Sequence, residues 1–161
     1  VNKELEQRVE DALARIAAEG EPGIKALVQR LYRGFEIVDS RLQFQYWGDP
    51  ELGHNEWLKK VMIINALGRA HARSAMGELE ALLNANSGIA QFYDLLQPAV
   101  VWALAEIGDR RAVPSLRAAL RRSDIYERTR VAIRAALGKL EGEPANKPEG
   151  NPARKWWQVW N

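Results

Sequence analysis

Three short stretches of the 161-residue chain decide its fold: Ala66-Leu67-Gly68, Ala103-Leu104-Ala105 and Ala136-Leu137-Gly138. Each closes an apolar run of helical period and sets small residues where two helices must approach closely. The first is followed by Ala75-Met76-Gly77-Glu78-Leu79-Glu80-Ala81-Leu82-Leu83. The second is followed by Ala112-Val113-Pro114-Ser115-Leu116-Arg117-Ala118-Ala119-Leu120, and the two runs align without a gap at a period of 37. Leu104 and Leu137 are 33 apart, and a fainter copy, Ala12-Leu13-Ala14-Arg15-Ile16 with Ile24, Leu27 and Leu31 behind it, precedes the first by 54. Such self-similarity marks a stacked repeat. One helical pair cannot bury its apolar stripe alone, so its neighbours supply the missing surface.

Working outward, Leu5, Val9, Leu13 and Ile16 predict a helix over Glu4 to Ala18. Gly20 and Pro22 punctuate the chain, and a second helix starts near Ile24 and continues its period through Phe35, Val38 and Leu42. Trp47 to Gly53 reads as a loop. Asn55 is placed to cap a helix ending near Leu67, and further helices are expected over Ser74–Leu83, Leu95–Ile107, Ala112–Leu120 and Ile125–Leu140. Pro98 fits the third of these only in its first turn. No useful segment alternates with period two. The expectation is an all-α chain: a short α-solenoid of about seven stacked antiparallel helices over residues 1–140, with an irregular extension at 34–54. Residues 141–161 form a Pro/Gly/Asn-rich linker and a Trp-rich tail.

The run Ala103-Leu104-Ala105-Glu106-Ile107-Gly108-Asp109, then Ala112-Val113-Pro114-Ser115-Leu116, then Arg130 to Gly138 resembles the HEAT-like repeat of the phycobiliprotein-lyase (PBS lyase) type. In that family an Ala-Leu-Gly helix end precedes a Gly-Asp turn and an Ala-Val-Pro helix start. An arginine stands about seven residues before the next Ala-Leu-Gly, and Arg130 occupies that place. The resemblance is sharp over 99–140, weaker over 57–83 and faint before 33. It implies an α-solenoid, often an adaptor and sometimes a lyase subunit. His71-Ala72 stands where Gly108-Asp109 stands in the next copy, so only the later turn is expected to be Asp-mediated. Asp109 and Arg130 are expected to be structural and to pair across neighbouring repeats.

The composition narrows the chemistry. There is no cysteine, which removes disulfides, thiolate catalysis and cysteine-ligated zinc, and only two histidines, His54 and His71. No nucleophile with a base, carboxylate pair or phosphate-binding glycine loop stands out, so a non-enzyme without a cofactor is expected. Asp49, Glu51, His54 and Glu56 match no metal spacing and read as an exposed acidic loop. Asn65, among apolar neighbours, reads as a satisfied buried amide. No run approaches the roughly 18 apolar residues of a membrane span. The start Val1-Asn2-Lys3-Glu4 has no signal-peptide pattern, and a cytoplasmic location is expected.

Charge and aromatics supply the candidate sites. Nine basic residues lie between Arg110 and Lys139, opposed within that window by Asp124 and Glu127 alone, in a chain of net charge +2. Arg110, Arg117, Arg121, Arg128 and Arg134 are the candidates for holding phosphates or nucleic acid, the other reading being a solvated face or a dock for an acidic protein. Trp156, Trp157 and Trp160, with Tyr46 and Trp47 in the loop, are the candidates for contact with a partner. The tail reads as an anchoring motif, as a segment that folds back on its own solenoid, or as an end without function. The leading expectation is a protein-interaction or scaffold module. Nucleic-acid binding and a bilin-lyase or chaperone-like role are the alternatives, and self-association through the tail or the solenoid ends is a further option.

Overall fold

The structure is a computed structural model and describes residues 3–33, 56–84 and 91–142. Among them are seven α-helices and no strand: α1 (Lys3–Ala18), α2 (Glu21–Arg33), α3 (Glu56–Arg69), α4 (Met76–Asn84), α5 (Gln91–Ile107), α6 (Val113–Leu120) and α7 (Glu127–Glu141). Single 3-10 turns, Arg73–Ala75 and Arg110–Ala112, lead into α4 and α6. The 34–54 extension and the tail beyond Gly142 lie outside the described residues.

The helices form two layers. α1, α3, α5 and α7 pack side by side, with the α3–α5 junction the most extensive, while α2, α4 and α6 lie across them. One continuous core runs from Val9 to Leu140. α1 shows how the pattern dictates the placing: Val9, Leu13 and Ile16 are buried, while Glu4, Gln7, Arg8 and Asp11 face solvent. α3 and α5 sit between neighbours and are buried nearly all round, polar Lys59, Asn65 and Gln97 included, with Val61, Met62, Ile63 and Ile64 followed in the next copy by Ala99, Val100 and Val101.

Two glycines permit the closest approaches. A Cβ on Gly23 would lie 1.8 Å from the Ile16 carbonyl oxygen, so α2 begins directly against the end of α1. A Cβ on Gly68 would lie 2.9 Å from the Ala103 Cα, which joins α3 to α5 at the repeat's small-residue motif.

Pro98 departs from expectation. It lies well inside α5 rather than in its first turn. Its missing N–H leaves the Asp94 carbonyl without its helical donor, a loss of ~3 kcal/mol in an isolated helix. Packing against α3, α4 and α7 carries the helix through that defect.

Candidate functional site

The outer layer is not uniformly closed. Between α4 and α6, the Ser115 hydroxyl donates to the Glu80 carboxylate, and Arg122 Nη1 donates to the Leu83 carbonyl at 2.9 Å. α2 instead abuts the turn Arg73–Ala75, and a groove of roughly 680 Å³ opens between it and α4. Ile24 and Val28 make its apolar surface, Lys25 and Gln29 border it on α2, and Ser74 and Glu78 stand opposite. The groove belongs to the part of the chain where the repeat is interrupted, since residues 34–55 intervene between α2 and α3. A second hollow of roughly 280 Å³, lined by Ala14, Ala17, Met62 and Ala66, lies between α1 and α3, bordered by Arg69 and Glu10 at 3.6 Å. Neither hollow was foreseen: hydrophobic period locates a helix face but not the distance to the neighbouring helix.

The basic segment is largely engaged within the fold. Arg110 Nε donates to the Leu140 carbonyl at 3.2 Å, and Arg117 Nη2 pairs with Glu141 at 2.5 Å, so these two converge on the C-terminus of α7. Unpaired carbonyls and the helix dipole favour cations there. Arg111 pairs with Asp109, Arg122 with Asp124 and Lys139 with Glu106, each at 2.7 Å, and Arg134 lies 3.4 Å from Glu127. Arg128 lies over the Tyr126 ring at 5.5 Å. Arg121 is exposed. Three of the neutralising acids, Glu106, Asp109 and Glu141, fall just outside the 110–139 window, which is why a local charge sum exaggerated the patch.

The expected pairing of Asp109 with Arg130 does not occur. Asp109 caps the 3-10 turn, accepting from the Arg111 N–H at 2.9 Å while the Arg111 guanidinium grips both its oxygens. The Arg111 side chain, then its backbone N–H, hold the carboxyl down at about 2 against the opposing effect of burial. Arg130 serves α6 instead. Its Nη1 donates to the Leu120 carbonyl at 2.6 Å and its Nη2 to the Arg122 carbonyl. Each is bound to the nearest helix end or turn.

The preceding turn reaches the same backbone by other means. His71 holds φ 51, matching Gly108 at φ 75, and its ring Nδ1 donates to the Glu106 carbonyl at 2.7 Å. Glu106 thereby links a turn of one repeat to Lys139 of another. Asn65 is buried, 5% exposed.

Trp156, Trp157, Trp160, Tyr46 and Trp47 lie outside the described residues, as do Asp49, Glu51 and His54. Among the described residues no group of three or more His, Asp or Glu is placed to hold a metal ion, and no helix is long and apolar enough to cross a membrane.

With this geometry in place, comparison with protein families gives one match: residues 99–122 fit the PBS lyase HEAT-like repeat. This stretch is a HEAT-like repeat. It spans the second half of α5, the Asp109 turn, α6 and the two residues after it, the section in which the arginine and aspartate bonds are concentrated. The all-α stack around it is consistent with a HEAT-like repeat solenoid, and HEAT-like repeats generally mediate protein–protein interaction or scaffolding. Comparisons with curated proteins and with solved structures gave no match.

Proposed function

We propose that this HEAT-like solenoid is a non-enzymatic interaction module that seats a segment of a partner protein in the groove between α2 and α4. The observation that carries the reading is the groove itself, an apolar strip of Ile24 and Val28 bordered by Lys25, Gln29, Ser74 and Glu78, where α2 abuts the Arg73–Ala75 turn. Its shape and chemistry fit an amphipathic helix or extended segment whose apolar side chains meet the strip while polar groups satisfy the borders. A nucleic-acid role rests on the basic segment, whose side chains are for the most part held by carboxylates and helix ends. A lyase or chaperone-like role rests on the family resemblance alone.

The test is photo-crosslinking from position 28 in the cell of origin, followed by reconstitution with the protein recovered. The expected result is a defined protein adduct whose binding to the purified chain falls by about tenfold or more in Val28→Glu, since a charge replaces an apolar contact. Absence of an adduct, together with salt-sensitive DNA retention that disappears in Arg117→Glu/Arg121→Glu, would overturn it in favour of nucleic acid.

A further inference from the structure

The two ends of the stack are finished differently. At the N-terminal end α1 turns Glu4, Gln7, Arg8 and Asp11 outward. Arg8 pairs with Glu4, and Gln7 donates to Asp11 at 2.9 Å. At the C-terminal end stand Tyr126 and Val131, 53% and 48% exposed, which are the exposed large hydrophobic residues among those described. Terminal repeats ordinarily present a polar outer face. α1 obeys that rule; α7 turns Glu127, Arg134 and Lys139 outward but leaves Val131 exposed among them.

The repeat register explains the exception. Matching Ala136-Leu137-Gly138 to Ala66-Leu67-Gly68 puts Gly138 on Gly68, Val131 on Val61 and Arg134 on Ile64. In α3 this face receives the next inner-layer helix: Gly68 meets Ala103, and Val61 and Ile64 are 1% and 0% exposed. α7 retains the glycine and the valine, yet among the described residues no further helix follows it. Where Ile64 is buried, α7 carries Arg134, whose side chain is 60% exposed. The position has kept the small and apolar groups of a buried junction and exchanged one aliphatic side chain for a guanidinium.

We propose that this face of α7 is the docking site for the chain's own segment Lys155–Trp160, which closes the solenoid as an aromatic cap. Reach permits it. Residues 143–155 separate Gly142 from Trp156, enough for roughly 40 Å of extended chain. α7 has 15 residues and a length of about 22 Å, so every point on it is accessible. Gly142, at φ 72, ends the helix in the left-handed conformation that turns the chain away from the axis. The chemistry is selective for aromatic rings. Val131 and the half-buried Ala135 offer aliphatic surface beside Gly138, which carries no side chain, and the Arg134 guanidinium, 3.4 Å from Glu127, offers a cation to an indole face. Arg128 over Tyr126 shows the same interaction already in use at this end. Docking also removes Trp156, Trp157 and Trp160 from water, where three clustered indoles would promote aggregation.

The absence of native cysteine makes the test site-specific. Val131→Cys places a single thiol on the face in the full-length chain, and its alkylation by iodoacetamide is timed with and without Trp156→Ala/Trp157→Ala/Trp160→Ala. The thiol is expected to react about tenfold more slowly when the tryptophans are present, at equal helix content by circular dichroism and independently of protein concentration. Ala135→Cys repeats the measurement in case the first substitution itself weakens docking. Equal rates at both positions would overturn the proposal. Protection that grows with protein concentration would overturn it too, by assigning the face to a second copy.

Discussion

Along the outer layer, α4 and α6 are joined by Ser115 on Glu80 and by Arg122 on the Leu83 carbonyl, while between α2 and α4 a groove stands open. In the C-terminal half, directed bonds from turns and helices meet helix ends across successive repeats: His71 to Glu106, Lys139 to Glu106, Arg110 to Leu140 and Arg117 to Glu141. The N-terminal half includes a steric joint, the bare backbone of Gly23 against Ile16, beside the Arg69–Glu10 pair between α3 and α1. Regular spacing lets each repeat satisfy the helix ends of the next. An interrupted spacing leaves surface for something else. That contrast predicts steric fragility at one end and electrostatic fragility at the other.

The largest effect should come from filling the steric joint. In Gly23→Ala the new methyl would fall 1.8 Å from a carbonyl oxygen, so α2 must move away from α1. A loss of about 3 kcal/mol in urea denaturation of the full chain is expected, at the upper end for an overpacked site. A loss below about 1 kcal/mol would mean that the first pair is loosely joined, and the contrast between the halves would fail on its steric side.

Next is the fork of Arg130. Arg130→Ala leaves the carbonyls of Leu120 and Arg122 without their donor, and about 2 kcal/mol should be lost. Arg130→Lys should recover little, because one ammonium cannot reproduce a planar fork that meets two carbonyls. Full recovery by lysine would reduce the bond to a general attraction between a cation and a helix end, weakening the claim of directed stitching.

These joints set the limit of what the sequence disclosed. The apolar spacing and the Ala-Leu-Gly motif located the helices, because both report on each helix's own buried stripe. The bounds of α1, α6 and α7 differ from expectation by one or two residues. Arg130 was recognised by position, yet its target was not, since the side chain of Asp109 and the carbonyls at the end of α6 are both acceptors for a guanidinium and only geometry separates them. Pro98 misled for a related reason: local propensity opposes a proline inside a helix, and the long-range packing that overrides it carries no local signature. The groove was illegible because it is a distance between two helices, and neither helix's own pattern encodes it. The outward face of α7 was half-legible. Gly138 and Val131 were visible as members of a repeat, while their exposure depends on what stacks beyond them.

The smallest effect is the sharpest test of how the two turns differ. Gly108-Asp109 and His71-Ala72 hold equivalent places, so the later turn carries a carboxylate where the earlier carries a methyl. Arg111 holds Asp109 at about 2, below the ordinary 3.8. The unfolded chain therefore takes up the proton first as pH falls, and the stabilisation, complete above about pH 4, is lost on the way down to about pH 2. Asp109→Asn keeps an acceptor for the Arg111 N–H and removes only the charge. At neutral pH it should melt a few degrees below the parent protein, and the two melting curves should converge as pH approaches 2. Every other carboxylate is common to both proteins and leaves the difference untouched. A gap that stays constant from pH 7 to pH 2 would show that the turn depends on the shape of the side chain rather than its charge. The Gly-Asp turn and the His-Ala turn would then be two equivalent ways of holding one backbone.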